Sequence, residues 1–350
     1  MEPGKVSALK IAGTYIGVVV GAGFASGQEI LQFFAAYGPV GIAGVVLAAA
    51  LFGFFGWIIM DTGLSLNAQS YLSIIRFSGG KYLGAVIDAV ITFFLFGSLT
   101  AMFAGAGAFF SQFFGLPAFL GALIMAIITA ATVLTGFGGV LNAISFVAPF
   151  LILSAIGVSI LSFFLPSPTG TVISMPPKPS FVNHWLISSI LYVSYNTVVS
   201  VAVLGPLGSR ARSRRAVLWG ALIGGLGLGV GAMSIFFALR MNMGPVAGVE
   251  LPMMLIAARI SPAVNILYSA VLLAEVYTTA VAGLYGFASR LSVQKGKRFT
   301  ASTIGAAILA FLMSLFGFSN LVRYLYPAVG IAGTVLLACL VYRRFVAKQR

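Results

Sequence analysis

Apolar runs of about 20 residues or more recur along nearly the whole chain, each long enough to cross a hydrocarbon core of roughly 30 Å as a helix. No motif constrains the fold as strongly. Backbone N–H and C=O groups find no water inside a bilayer, so only helices and closed β-barrels can span one. Barrel strands alternate apolar and polar residues, and these runs do not. With 60% hydrophobic and only 7% charged side chains, 350 residues carry too little polar surface to cover a water-soluble globule. The chain reads as an all-α integral membrane protein.

Breaks at polar, proline and charged residues divide it into about ten spans: approximately 8–35, 39–63, 82–112, 118–136, 139–165, 184–207, 215–239, 263–290, 300–317 and 320–342. With the N-terminus inside, Lys5, Lys10, Arg76, Lys81, Arg210, Arg212, Arg214, Arg215, Arg290, Lys295, Lys297, Arg298, Arg343, Arg344, Lys348 and Arg350 fall on the cytoplasmic side. Only Lys178, Arg240, Arg259 and Arg323 fall elsewhere, the asymmetry of the positive-inside rule. Both termini are therefore expected in the cytoplasm, and the first span is read as retained rather than cleaved. The net charge of +14 lies in short loops that suit an anionic leaflet, so lipid bilayer rather than nucleic acid is the expected neighbour. Cys339 is the lone cysteine, which excludes a disulfide framework, and His184 is a lone histidine at the border of span six.

Span six begins about 176 residues after span one, and the later spans keep that offset. Two halves, residues 1–170 and 171–350, are thus expected to form two five-helix repeats within one membrane domain. An odd number of spans per half turns the second half upside down, giving a 5+5 inverted-topology repeat. Transporters of this kind hold their ligand at the midplane, between broken helices in equivalent positions, so spans one and six should both be interrupted.

Span one carries GVVVGAGFASGQEILQFF, from Gly17 to Phe34. Each glycine inside a helix costs about 1 kcal/mol relative to alanine, so Gly21, Gly23 and Gly27 make the segment easy to unwind. Unwinding frees carbonyls before the break, suited to a cation, and amides after it, suited to a carboxylate. Ser26 can cap the following half-helix, whose first turn holds Gln28 and Glu29. Tight helix packing is the competing use of such glycines, and it is the reading for GGLGLGVGA in span seven. Span six places Ser194, Tyr195, Asn196 and Thr197 mid-run but has no glycine break, so interhelical hydrogen bonding competes with unwinding there.

GVVVGAG resembles the first span of the LeuT-fold transporters of the amino acid, polyamine and organocation superfamily, and GAGFASGQE resembles the YkvI-like amino acid permease family. The layout matches over all ten spans, whereas the motif is confined mainly to span one. The resemblance implies a bundle of spans one, two, six and seven that moves against spans three, four, eight and nine, in a bacterial cytoplasmic membrane. It also implies a cation-coupling site built from Gly17 and Val20 carbonyls with the hydroxyls of Thr278 and Thr279. Several members close the outer vestibule with an ion pair between spans one and ten, which makes Glu29 and Arg323 a charge-swapped gate, with headgroup-level charges as the alternative. The loop GVELPMMLIAARISP is expected to form a short helix dipping into that vestibule.

Glu275, near the middle of span eight, costs at least about 2.5–3.5 kcal/mol to insert, so it faces a cavity or a partner. Thr278 and Thr279 share its helical face. Glu275 stands where the family has a small residue, which leaves Na+ with a charged ligand and a protonatable carboxylate both open. Asp61 and Asp88 are expected near the cytoplasmic face, snorkelling or paired with Lys81 or Arg76.

No nucleophile elbow, phosphate loop or His/Asp cluster suggests an enzyme, and no organic cofactor or metal is expected beyond the Na+ or H+ that couples transport. The expected function is cation-coupled secondary transport of a small amino acid or related amine. The backbone of Ala22, Gly23, Phe24, Ala25 and Ser26 would hold a carboxylate, and Phe24, Tyr195 and Asn196 would shape the pocket. No acidic residue stands in the unwound core itself, so a free carboxylate is the expected handle. A ligand-sensing receptor subunit on the same fold, of the germinant-receptor type, is the alternative.

Overall fold

The computed structural model describes residues 6–68, 70–135, 148–165, 182–291 and 296–346. The first span is in three pieces: α1 (Ala8–Val19), α2 (Ala22–Ala25) and α3 (Gln28–Phe33). A 3-10 turn leads into α4 (Gly41–Leu66), and α5 (Tyr71–Phe114) bends at Gly80, where the backbone leaves helical geometry. The segment before Gly80, expected as loop, is therefore helical from Tyr71. Next come α6 (Ala118–Leu134), α7 (Ala148–Ser162), α8 (Trp185–Ser209) and α9 (Arg214–Met241). The loop after α9 folds into α10 (Met243–Val246) and α11 (Pro252–Ile260); α12 (Pro262–Leu291), α13 (Lys297–Ser314) and α14 (Phe318–Val341) complete the bundle.

Among the described residues, six helices are long and apolar enough to cross a membrane: Ala35–Leu66, Gly84–Phe114, Trp185–Ser209, Arg214–Met241, Pro262–Leu291 and Phe318–Val346. Three shorter apolar helices, 8–19, 118–134 and 153–162, lie beside them. The first part of expected span five and residues 166–181, most of the connection between expected spans five and six, lie outside the described residues.

Span six differs from the expectation of a second break. α8 is one helix from Trp185 to Ser209, with Pro206 in its last turn. Its mid-helix polar groups are absorbed locally: the Asn196 amide donates to Tyr192 O at 3.0 Å and the Thr197 hydroxyl to Val193 O at 2.7 Å. Ser194 instead crosses to α14, donating to Gly330 O at 2.7 Å. Without a glycine to lower the cost of unwinding, the helix stays whole, and its polar side chains are satisfied by bonds to backbone carbonyls.

The glycines of span seven serve packing. α9 runs unbroken, and a Cβ at Gly225 would lie 2.5 Å from the backbone N of Gly53 on α4. Gly224 faces the Tyr15 ring of α1 and Gly220 faces Ile11. α1, α4 and α9 thus approach to backbone contact, as small-residue interfaces in membranes do.

Arg76, Arg210, Arg214, Arg215, Arg290, Arg298, Arg343 and Arg344 occur where helices start or finish at one end of the bundle. Val6 pairs with Ala211 at that same end, its N–H donating to Arg210 O at 2.8 Å. The acids near this end, buried Asp61 and half-exposed Asp88, find partners remote in sequence. Asp61, 1% exposed, meets Arg344 at 2.8 Å and Arg214 at 3.7 Å. Asp88 meets Arg290 at 2.8 Å and accepts from the Tyr71 hydroxyl at 2.8 Å. Arg344, Arg214 and Arg290 are ion-pair partners that the sequence did not suggest, because helix placement brings α9, α12 and the residues after α14 close to these acids; the expected Arg76 also acts on Asp88 electrostatically, across a cavity that both line, and the Lys81 side chain is outside the described residues.

Candidate substrate and cation site

The hydrogen-bond ladder of α1 ends with Val20 N–H to Ile16 O at 2.8 Å and resumes with Ala25 N–H to Gly21 O at 3.0 Å. Val20 and Gly21 are extended between them, which leaves the Gly17–Val20 carbonyls outside the ladder among the described residues. The N–H groups of Ala22, Gly23 and Phe24 open the next turn and have no preceding carbonyl within it.

Gly27 makes a second break. At φ 80° it holds a left-handed conformation that suits glycine, and it separates α2 from α3. Ser26 spans this break as the sequence suggests: its hydroxyl donates to Gly23 O at 3.0 Å and accepts from Gln28 N–H at 3.3 Å.

The double break redirects Glu29. Its side chain is buried, accepts a hydrogen bond from the Tyr195 hydroxyl, and lies directly against the Cα of Gly23. This corrects the expectation that the unwound core lacks an acid: Glu29 belongs to α3 in sequence, but the left-handed turn at Gly27 carries its carboxylate back to the break. Tyr195 sits in an aromatic cage, with ring centroids of Tyr326 at 5.0 Å, Tyr192 at 5.5 Å, Phe33 at 5.8 Å and Phe94 at 6.0 Å. Glu29, Gly23 and Tyr195 are thus brought together. Phe24 instead packs its ring on Gly231 of α9, and Asn196 spends its amide on its own helix.

α12 supplies the second cluster. Glu275 is buried; the Thr279 hydroxyl donates to its Oε1 at 3.1 Å and the Thr278 hydroxyl to its backbone carbonyl at 3.1 Å. The same helix meets the broken span through Tyr268, whose hydroxyl donates to Ala25 O. Glu275, Thr278 and Thr279 offer oxygen donors alone, the kind that suits a hard cation such as Na+. The ion pairs of the described residues engage Asp61 and Asp88, whereas Glu29 and Glu275 have hydroxyl partners. A buried carboxylate in that setting needs a proton or a bound cation to offset its desolvation.

At the end of the bundle remote from the arginine clusters, Ser319 at the start of α14 gathers three elements. Gln28 donates to its hydroxyl at 2.8 Å, Gln32 donates to its carbonyl at 3.0 Å, and its N–H donates to Glu250 Oε1 at 3.3 Å. α11 closes over the break below, with Met253 N–H bonding to Ser26 O at 2.9 Å. The loop helix dips inward as expected. Arg323 lines a small cavity of about 120 Å³ beside Gln28, Gln32 and Ser319 and stacks on Tyr324 at 5.6 Å, while Glu29 turns inward to Tyr195. The sequence reading missed Gln32, Glu250 and Ser319; the amphipathic spacing of Gln28 and Gln32, one helical turn apart, was the available signal. His184 caps α8, its Nδ1 accepting from Leu186 N–H at 3.2 Å.

Comparison with known proteins bears on the fold and the family. No family model matches the chain. It superposes on the inward-facing conformation of Mhp1 with a TM-score of 0.69 at 13% identity, covering 98% of this chain and 81% of that one. MhsT in complex with L-phenylalanine gives 0.60 at 15% identity, covering 96% and 89%. The substrate-bound outward-open state of a Na+-coupled sialic acid symporter gives 0.60 at 12% identity, covering 98% and 80%. Such identities show the fold, which is that of the LeuT-type transporters. In sequence, the chain is 30% identical over 346 residues to the uncharacterized membrane protein YkvI of Bacillus subtilis (strain 168), covering 98% of each. It is 28% identical over 335 residues to the uncharacterized protein YyaD of the same organism, covering 96% of each. With a break in its first span, a buried acid returned to that break and a relative matched end to end, the chain belongs to the YkvI-like family of multi-span membrane proteins, built on the LeuT fold.

Proposed function

We propose that the protein is a cation-coupled secondary transporter of a small amino acid or related amine, working by alternating access around the break in the first span. The observation that carries this is the Glu29 carboxylate held by Tyr195 against Gly23. It sets an acid beside the free N–H groups of Ala22, Gly23 and Phe24. An ammonium pairs with the acid and a carboxylate with the N–H groups, so a zwitterion satisfies both. The acid also changes the preferred handle: an amine is recognised as directly as a carboxylate.

Coupling is assigned to Glu275, Thr278 and Thr279 with the Gly17 and Val20 carbonyls, either as ligands of Na+ or with Glu275 as a proton carrier. A related fold serves a Na+-coupled sialic acid symporter, and another holds L-phenylalanine, which supports both parts of the reading. Under the positive-inside assignment the arginine end is cytoplasmic, the termini are inside, and the Ser319 junction is the outer gate, drawn closed here. Glu29 and Arg323 would pair as a gate only after Glu29 leaves Tyr195. Residues 1–170 and 171–350 form the two inverted repeats, and α8 would bend at Ser194–Thr197 during the cycle rather than rest broken.

The test is ligand-dependent melting of the purified protein against a panel of amino acids and amines in Na+ and in K+. At about 100 times its dissociation constant a ligand adds roughly 2.7 kcal/mol, a resolvable shift. A shift that needs Na+ or varies with pH, and that Glu29→Gln abolishes, is the expected result. A panel that shifts nothing under any ion rejects the amino acid reading.

A further inference from the structure

The arginine end of the bundle holds a cavity of about 280 Å³, remote from the break in span one and walled by Thr62, Ser65, Ser78, Arg214, Arg343 and Arg344. Three hydroxyls and three guanidinium groups converge there from α4, the segment before Gly80, the start of α9 and the residues after α14. Each guanidinium group has a partner in the surrounding wall. Arg343 lies over the Phe77 ring at 4.5 Å, Arg344 over Trp57 at 4.8 Å, and Arg214 donates to Ser65 Oγ at 3.1 Å.

The charge here does not balance. The chain has six carboxylate side chains. Glu29, Glu250 and Glu275 belong to the sites described above, and Asp88 is held by Arg290 at 2.8 Å. Among the described residues, the ion pairs of these guanidinium groups engage one acid, Asp61, which meets Arg344 at 2.8 Å and Arg214 at 3.7 Å. The segments outside the described residues bring no net negative charge to this end, since residues 1–5 hold Lys5 beside Glu2 and residues 347–350 hold Lys348 and Arg350. Planar guanidinium forks flanked by hydroxyls match the tetrahedral oxygens of a phosphate group. The rest of the lining is apolar, from Leu66, Phe77 and Leu340, and Phe77 is exposed. A basic pocket between helices with an apolar side suits a headgroup whose acyl chains lie along that side.

We propose that this cavity binds a net-anionic phosphate group, supplied by a phospholipid headgroup or by a free phosphate. The site ties α4, α9 and the residues after α14 together, and its occupation can be tested without any transported substrate.

The full-length protein in a neutral detergent is melted, at constant ionic strength, against short-chain phosphatidylglycerol, short-chain phosphatidylcholine and inorganic phosphate. The expected result is a saturable rise in melting temperature with phosphatidylglycerol or phosphate, at least tenfold weaker in apparent affinity in Arg343→Gln. Arg215→Gln removes the same charge from an exposed neighbour outside the cavity wall and is expected to stay within twofold of wild type. A response to phosphatidylglycerol alone assigns the lipid, and a response to phosphate as well assigns the free anion. Equal shifts with phosphatidylcholine, no shift with either anion, or equal weakening by Arg343→Gln and Arg215→Gln would overturn the proposal. Should Arg343→Gln not fold, Ser78→Trp fills the cavity without altering charge. Native mass spectrometry then counts phosphatidylglycerol or phosphate retained per chain, and retention equal to wild type overturns the site.

Discussion

Substituting Gly23 by alanine isolates the contact on which the substrate reading rests. An added methyl would lie 2.8 Å from Glu29 Cδ and closer still to Oε1, so the carboxylate must move away from Tyr195. Leaving that buried pair unsatisfied costs about 1–3 kcal/mol, whereas replacing a helical glycine by alanine returns about 1 kcal/mol. The net effect of Gly23→Ala is a loss of up to about 2 kcal/mol. Gly21, two residues earlier, is the control: nothing lies within 4 Å of its added Cβ, and its φ of −114° is open to alanine. Gly21→Ala is therefore neutral or stabilising by up to about 1 kcal/mol. In a Glu29→Ala background the methyl at position 23 meets no carboxylate, so Gly23→Ala there becomes neutral or stabilising. The double-mutant cycle should show coupling of at least about 1 kcal/mol, read from denaturation followed by the fluorescence of Trp57, Trp185 and Trp219. Additive effects within about 0.5 kcal/mol, or equal losses at Gly21 and Gly23, would show that Glu29 does not occupy the break.

Three further outcomes follow from the same geometry. Glu275→Gln keeps the size and a hydrogen-bonding oxygen but removes the charge, so it should preserve folding while abolishing the Na+ or pH dependence of ligand-induced melting; an unchanged ion response would move coupling elsewhere. Gln28→Ala with Gln32→Ala removes two bonds to Ser319, each worth about 0.5–1.5 kcal/mol, and should populate the open outer gate about fivefold or more. In a Cys339→Ala background this is read as faster labelling of Ala247→Cys by an impermeant maleimide, and an unchanged rate would remove Ser319 from the gate. Burial raises the Glu250 carboxyl above its ordinary range, an effect that hydrogen bonds from Ser319 and Phe318 N–H only partly oppose. The closed gate then binds the proton more tightly than an open, hydrated one. Acid therefore favours closure, rising pH through the raised range favours opening, and Glu250→Gln should flatten the pH dependence of the same labelling rate.

The membrane class, the approximate placement of the spans, the gathering of arginines at one end and the break in span one were legible in the sequence. Each reports a local property: hydropathy along a window, charge beside a span, or the low helix propensity of clustered glycines. Ser26 and Gln28 also took the positions their local residues suggested, and the helix at Pro252–Ile260 the one that the family resemblance implied. Span six was harder to read because polar residues in a buried helix serve equally well as ligands, as interhelical bonds or as bonds to their own backbone, and here Asn196 and Thr197 chose the last.

Partner choice lay beyond the sequence. Glu29 took Tyr195, Asp61 took Arg344 and Arg214, and Asp88 took Arg290, each across helices far apart in the chain. Helices that are apolar all round carry no stripe to declare which face meets which neighbour, so hydropathy specifies that a segment crosses the bilayer but not how it is rotated. The sequence by itself therefore determined what spans and where the backbone yields. Only the packed bundle decided which buried charges meet, because a short-range bond between remote segments exists only once the helices between them have been placed.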